Sequence, residues 1–187
     1  MAQLNRRGFL ATGMATLSAG PAFAATTEPY EIPEKHRARV VQLENGFAAG
    51  EIHVDPGRFA LYWTLEDGQA IRYPVAIGLP GQYYDGAFTV GRKAEWPSWT
   101  PTQRMIRRNP EFFAEFAGGV PGGPDNPLGS RAIYLYNGAR DSLLRIHGTT
   151  QPWLVETATS SGCVRMINAH VEDLYERVEK GTPVFLR

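Results

Sequence analysis

Short runs rich in β-branched and aromatic residues, each bounded by a turn signal, dominate the pattern of apolar and polar positions along the chain. Such runs predict successive β-strands, because branched and aromatic side chains pack well on a pleated surface. Turn signals occur at Asn45-Gly46, Asp55-Pro56-Gly57 and Asp67-Gly68, and the last of these places a hairpin turn at residues 66–69. Strands are predicted at residues 40–43, 51–54, 59–65, 71–77, 87–91, 131–136, 143–146 and 184–186.

Two helices are predicted among these strands, which makes the fold class β-rich α+β. The first begins at Asn109-Pro110, since Asn caps helices and Pro is tolerated at the first helical position. Gly118-Gly119 ends it, and its apolar face would consist of Phe112, Phe113 and Phe116. The second begins with Asn168 as its cap and ends before Gly181. Its buried face, at a spacing of 3.6 residues, would consist of Val171, Leu174, Tyr175 and Val178.

Residues 1–24 have the order of a cleavable export signal. The adjacent Arg6 and Arg7 precede a charge-free run of small and apolar residues that ends in Ala22-Phe23-Ala24, as charged, apolar and cleavage regions follow one another in secretory signals. The paired arginines resemble the twin-arginine class, which predicts an exported, periplasmic protein. An amphipathic helix or membrane anchor is the alternative, and it is disfavoured because the apolar run is too short to span a bilayer.

The rest of the chain divides into a polar linker with the first strand, at residues 25–47, and a folded domain at residues 48–187. Loss of residues 1–24 would remove two arginines and no acids from 19 basic and 19 acidic residues, which leaves a formal charge of −2. That charge gives no reason to expect electrostatic capture of nucleic acid. An exported chain with a single cysteine forms no internal disulfide, so its thiol is a candidate for reactivity.

The candidate chemistry lies at residues 146–168, where the single cysteine, Cys163, follows His147. A thiol needs a nearby base to become a nucleophilic thiolate, and histidine is the usual supplier. Glycine lets the Ser160-Ser161-Gly162 turn bend sharply, so that its backbone N–H groups could converge on one oxygen as an oxyanion hole requires. The alternative is structural, with the cysteine as a small buried hydrophobe and the histidine as a satisfied polar group.

This stretch resembles the signature of the L,D-transpeptidase catalytic domain, also called the YkuD family. The resemblance rests on His147-Gly148-Thr149, on Pro152-Trp153, and on the letters S-S-G-C-V-R-M-x-N from Ser160 to Asn168. Further similar landmarks are Val54-Asp55-Pro56 before Leu61-Tyr62, residues 91–101, and Asn126-Pro127-Leu128-Gly129. The resemblance covers about residues 48–187. It implies the YkuD-like mixed β-sheet or sandwich, with one or two short packed helices.

Members of this family are cysteine acyltransferases that act on bacterial peptidoglycan, and the resemblance assigns roles to residues of this chain. Cys163 would be the nucleophile, His147 the base, and Gly148 the residue whose carbonyl orients the histidine. The oxyanion and substrate-binding residues would be Ser160, Ser161, Gly162 and Arg165. The backbone N–H groups of Ser161, Gly162 and Cys163 would bind the oxyanion. Arg165 would orient the cysteine loop or a substrate carboxylate.

The implied reaction is acyl transfer from a tetrapeptide stem, with release of the terminal D-alanine, through a thioester to an amine acceptor. It would form 3-3 crosslinks between stems or anchor a protein to the wall. Because the thioester conserves bond energy, neither a nucleotide nor any other cofactor is implied. Two alternatives stay open: an L,D-carboxypeptidase or endopeptidase of the same fold, in which water resolves the thioester, and a non-catalytic wall-binding module.

The chain departs from many relatives at two places. Val155-Glu156 replaces Ile-Gly, and Ser161 replaces His. Glu156 is therefore expected to bring a carboxylate near the site, where it would influence the choice of acceptor. No metal is expected, because the candidate ligands lack the spacings of known sites. Those candidates are His53, His147, Cys163 and His170.

Two further points stay open at the level of sequence. Residues 118–129, with five glycines and three prolines, would form either a plain connector or the border of a substrate groove. The Cys163 and His147 pair could rest as a thiolate–imidazolium ion pair or as two neutral groups. The ion pair is favoured here, although the neutral carbonyl expected beside His147 stabilises an imidazolium less than a carboxylate would.

Overall fold

The computed structural model describes residues 30–44 and 46–187. The predicted export signal at residues 1–24 lies outside the described residues. The strands of the described part are β1 (Arg39–Gln42), β2 (Ile52–Asp55), β3 (Ala60–Thr64), β4 (Gln69–Gly78), β5 (Gly86–Glu95), β6 (Arg131–Asn137), β7 (Arg140–His147), β8 (Ala158–Ser160), β9 (Val164–Met166) and β10 (Pro183–Leu186). All the predicted strands are confirmed to within a few residues. β8 and β9 were not predicted, since each has only three residues and depends on its neighbours for pairing.

Hydrogen bonds join the strands in the order β1-β4-β3-β2-β10-β5-β6-β7-β9. A further pairing sets Val75 of β4 opposite Met166 of β9 and closes the sheet into a ring, with β1 and β8 attached to β4 outside it. The β2–β10, β4–β8 and β7–β9 pairs are parallel and the other described pairs are antiparallel. The predicted β-rich fold with a mixed sheet is therefore confirmed.

The described helices are short: α1 (Gln103–Arg108), α2 (Pro110–Phe113) and α3 (Asn168–Arg177). α2 begins as predicted, because the Asn109 side chain accepts a hydrogen bond from the N–H of Phe112. Phe113 packs against Trp99, but Phe112 is 61% exposed, so the predicted apolar face is wrong at that residue. α1 was missed because its six residues include only two apolar side chains.

α3 has the predicted buried face but not the predicted cap. Val171, Leu174 and Val178 are fully buried in the hydrophobic core, and Tyr175 packs against it. The cap position falls on Ile167, and the Asn168 side chain makes no capping hydrogen bond. Its amide oxygen instead accepts hydrogen bonds from backbone N–H groups outside the helix. The prediction of an Asn168 cap is therefore wrong.

Strands β5, β6, β7 and β9 separate the hydrophobic core from the candidate site, because successive side chains of a strand point to opposite faces. Ile133, Ile146 and Val164 are neighbours in register and are buried in the core that α3 completes. Lys93, beside Ile133 in register, donates to the carbonyl oxygen of Val178 at the end of α3 (2.6 Å). On these strands, the side chains one position before or after Lys93, Ile133, Ile146 and Val164 therefore lie on the opposite face, away from α3.

Candidate active site

Cys163 lies at the end of a tight turn between β8 and β9. Gly162 in this turn has a φ of 127°, a conformation that side-chain-bearing residues rarely adopt. A Cβ there would also lie 2.9 Å from the carbonyl oxygen of Gln82. The buried Ser160 braces the turn, since its hydroxyl donates to the Cys163 carbonyl oxygen (2.5 Å) and accepts from the Gly162 N–H (3.1 Å). These contacts hold the cysteine backbone in one conformation.

The same hydrogen bonds change the expected set of oxyanion donors. The Gly162 N–H already donates to the Ser160 hydroxyl, so its role as an oxyanion donor stays a prediction. In the part of the chain that the structure describes, the N–H groups of Ser161 and Cys163 donate to no other group. These two N–H groups remain available to a substrate oxygen.

His147 is the last residue of β7 and is 4% exposed. Its Nδ1 lies 2.6 Å from the carbonyl oxygen of Gly148. A carbonyl only accepts hydrogen bonds, so Nδ1 carries the proton and Nε2 keeps its lone pair in the neutral ring. The hydrogen bond expected between these two residues is therefore present, and it leaves Nε2 as the basic nitrogen.

Asn168 bridges the loop before β6 and the loop that follows His147. Its Oδ1 accepts from the N–H of Ser130 (3.3 Å) and the N–H of Thr149 (3.0 Å). A Cβ at Gly148 would lie 2.2 Å from that oxygen, and a Cβ at Gly129 would lie 2.3 Å from it, so only glycine fits at either position. The asparagine stands at the end of the M-x-N letters of the motif, which was the available signal for a role at the site.

The register of the sheet brings the cysteine and the histidine to one face. β7 and β9 run parallel, with His147 beside Arg165. Side chains two positions apart on a strand share a face, so Cys163 and Arg145 project from that face as well. All four side chains line one cavity of about 870 Å³. The arrangement places a thiol, a base and two cations at the same wall.

A bulge in β7 approaches the thiol. The register between β6 and β7 shifts before Arg145, and Leu143 within the bulge has a φ of 65°. Its N–H donates to Asp141 (2.8 Å), and its carbonyl oxygen lies 4.0 Å from the Sγ of Cys163. Bulges re-aim backbone groups in this way beside functional sites. The carbonyl is placed to accept a hydrogen bond from a neutral thiol.

Burial governs the protonation of the Cys163 and His147 pair. Burial lowers the pKa of His147 to about 3, assisted by the charge of Arg165 and opposed by the carbonyls of Gly148 and Leu128. Burial also raises the pKa of the Cys163 thiol, although the N–H and charge of Arg145 oppose that rise. A lowered histidine pKa and a raised thiol pKa each favour the uncharged form of the group. These two shifts favour a neutral resting pair over the ion pair that the sequence favoured.

Arg165 faces the cavity without a carboxylate within ion-pair distance among the described residues. Its Nε is buried and has no hydrogen-bond partner there, and burial lowers the pKa of its guanidinium. The glycine-rich loop at residues 118–129 reaches the same cavity, because Pro127 and Leu128 line it. Of the two interpretations of this loop, the structure supports a border of the groove.

Glu156 does not face the cavity, so the expectation that it brings a carboxylate to the site is wrong. Its carboxylate lies 3.3 Å from His36 and 3.7 Å from Arg72, on the side of the linker and β1. Its φ of 63° lies in the left-handed region, which glycine adopts without strain. A glycine, which the family resemblance implies at this position, would adopt that conformation without strain.

The other histidines considered as metal ligands lie in separate environments. His53 donates from Nε2 to Glu51 (2.8 Å) and accepts at Nδ1 from Arg187 (3.3 Å), while His170 packs beside Tyr73 in the core. In residues 30–44 and 46–187 no group of three or more His, Cys, Asp or Glu side chains is arranged to hold a metal ion. None of the helices in these residues has the length and apolar character needed to cross a membrane.

Residues 49–186 match the family model YkuD, described as the L,D-transpeptidase catalytic domain. A Fuscovulum blasticum protein, named as a candidate L,D-transpeptidase of the ATP synthase subunit region, is 31% identical over 97% of this chain and 96% of its own length. Curated relatives from Escherichia coli are longer: they are 34% identical, and the chain spans only 42% and 39% of their lengths.

Solved structures with the same fold include two that differ in description. A Brucella melitensis crystal structure, described as a probable carnitine operon oxidoreductase CaiA, is 45% identical with a TM-score of 0.57, over 79% of this chain and 91% of that one. An L,D-transpeptidase from Mycobacterium smegmatis is 18% identical with a TM-score of 0.53, over 73% of this chain and 57% of that one. The second likeness concerns the fold alone, and it confirms the predicted fold type.

Proposed function

Because the chain belongs to the YkuD family of L,D-transpeptidase catalytic domains, we propose that it is a peptidoglycan L,D-transpeptidase that works through a thioester on Cys163. One observation carries the proposal. The thiol, a histidine with a fixed tautomer and two N–H groups without another partner in the described residues meet at one wall of a cavity. Nucleophile, base and oxyanion donors are the parts that acyl transfer requires.

Acylation begins from the neutral pair. As Sγ of Cys163 attacks the carbonyl carbon between the third and fourth residues of the donor stem, Nε2 of His147 takes the thiol proton. The carbonyl oxygen becomes an oxyanion, which accepts hydrogen bonds from the N–H groups of Ser161 and Cys163. When the carbonyl reforms, the C–N bond breaks and the terminal D-alanine leaves as an amine with the proton from His147. The product is a thioester and a neutral histidine.

Deacylation repeats these steps with a different nucleophile. An acceptor amine gives its proton to Nε2 of His147 and attacks the thioester, a second oxyanion forms on the same donors, and the thiolate leaves and recovers the proton. The acceptor would be the side-chain amine of another stem, giving a 3-3 crosslink, or a protein anchored to the wall. Water in place of the amine would make the protein a carboxypeptidase or endopeptidase.

The remaining elements of the proposal concern place and substrate contacts. The signal-like residues 1–24 support export to the periplasm, where the stem peptides are found. Arg165, whose buried Nε lacks a partner in the described residues, would bind the carboxylate of the leaving D-alanine. A non-catalytic wall-binding module is disfavoured, because such a module has no need of an intact thiol beside a histidine with a fixed tautomer.

Incubation of the protein with purified tetrapeptide muropeptides, followed by mass spectrometry of the products, tests the proposal. Crosslinked dimers with loss of D-alanine are expected for the transpeptidase. Tripeptides without dimers would replace the transferase with a hydrolase of the same mechanism. Unchanged tetrapeptides together with tight muropeptide binding would favour the wall-binding module.

A further inference from the structure

A row of side chains extends the site away from the cysteine across three strands. Arg92 of β5 lies opposite Tyr134 of β6, and Tyr134 lies opposite Arg145 of β7. β7 and β9 pair Ile146 with Val164, which sets Arg145 beside Cys163 and completes the row. All four residues line the cavity. Gly91 sets this register, since the shift in pairing occurs there and a Cβ would lie 2.2 Å from the Tyr136 ring.

The two arginines of the row differ in what they bind. Both stack on the Tyr134 ring, with Cζ of Arg92 3.8 Å from its centroid and Cζ of Arg145 4.2 Å from it. Arg145 is mostly buried and makes a bidentate pair with Asp141 (2.7 and 2.9 Å). Arg92 is exposed to the cavity, and its guanidinium makes no hydrogen bond or ion pair within the described residues. Its charge is therefore held in place and available.

The cavity around this row is strongly basic. Within the described residues one carboxylate lines it, that of Asp85. The cations that line it are Arg92, Arg104, Arg108, Arg145 and Arg165. Guanidinium groups recognise carboxylates through paired, charge-assisted hydrogen bonds. An excess of arginines around a peptide-cutting thiol indicates a donor with free carboxylates beyond the one at its cut end.

We propose that Arg92 is a specificity-determining residue that binds a free carboxylate on the second residue of the donor tetrapeptide. The inference rests on the proposed function. The Arg92 guanidinium lies over Tyr134 of β6, which is two strands away from β9. Neighbouring strands are about 4.8 Å apart, so this guanidinium lies about 10 Å from the Cys163 thiol, roughly three lengths of an extended residue. The carboxylate of the leaving residue is too near the cut bond to reach it, whereas a carboxylate on the side chain of the second residue spans this distance.

Two synthetic tetrapeptides that differ only in a carboxylate or a carboxamide on the second residue test the proposal. Their affinities are measured for Cys163→Ser, which cannot form the thioester, with and without Arg92→Gln. Acylation rates are measured in parallel by intact mass for the wild type and Arg92→Gln. We expect a preference for the carboxylate of about 10-fold to 100-fold, the loss typical of one charge-assisted contact, and its disappearance in Arg92→Gln.

Arg107→Gln is the matched control, because Arg107 is exposed on α1 and does not line the cavity. It should keep the full preference. Equal affinities for the two peptides, a preference that survives Arg92→Gln, or binding of neither peptide would each overturn the proposal. A carboxylate preference in binding without any acyl-enzyme in the wild type would uphold Arg92 and refute the thioester mechanism instead.

Discussion

Replacement of Asn168 distinguishes a helix cap from a bridge between loops. In the structure its Oδ1 accepts two backbone hydrogen bonds, from Ser130 at 3.3 Å and Thr149 at 3.0 Å. Asn168→Ala leaves both partly buried donors without their acceptor. At about 1 kcal/mol for each bond, the free energy of unfolding should fall by about 2 kcal/mol. For a domain of this size that loss lowers Tm by about 4–8 °C.

The matched variants are Asn168→Ser and Asn168→Asp, followed by thermal unfolding in circular dichroism. Serine caps helices as well as asparagine does, but its hydroxyl is too short to bridge the two loops. It should therefore be as destabilising as alanine, whereas aspartate keeps both acceptors and most of the stability. If Asn168→Ser unfolded at the wild-type temperature, the bridge would contribute nothing and the assignment would have to be withdrawn.

Four further outcomes are expected. The alkylation rate of Cys163 should rise with pH only near or above the free-thiol value of about 8.5, because burial raises the thiol pKa; a limb several units lower would indicate an ion pair. His147→Ala should leave the pH dependence of Cys163 alkylation unchanged yet slow acylation by about 100-fold or more, since the base acts during attack. Glu156→Gln should leave the products unchanged, because Glu156 faces His36 and not the cavity. Replacement of both Arg6 and Arg7 by lysine should retain a full-length precursor in the cytoplasm if the twin-arginine route is used, and normal secretion would argue against that route.

The strands and the motif were predictable because their signals are local. Branched and aromatic runs between turn residues located the strands, and the letters around Cys163 located the candidate site. The hydrogen bond from His147 to the Gly148 carbonyl was also expected, since it joins adjacent residues. Features that depend on a few neighbouring residues are the ones that one sequence specifies.

The errors share a physical cause, which is pairing between distant segments. Asn168 has the right chemistry for a cap, but donors about 20 and 40 positions away compete for its oxygen. Glu156 is close to the motif along the chain, yet its backbone conformation turns it toward Arg72. The row from Arg92 to Arg145 exists only through the register of three strands, with a bulge in two of them. Burial, which sets the protonation of the Cys163 and His147 pair, likewise follows from the assembled sheet.

The role of Cys163 as nucleophile is tested by intact mass spectrometry of the protein during incubation with a tetrapeptide donor. We expect an adduct with the mass of the tripeptide acyl group on the wild type, located on Cys163 by peptide mapping. Cys163→Ser should fold normally and show no adduct, because a serine hydroxyl is far less acidic than a thiol. An adduct on Cys163→Ser, or an adduct at another residue of the wild type, would contradict the assignment of Cys163 as the nucleophile.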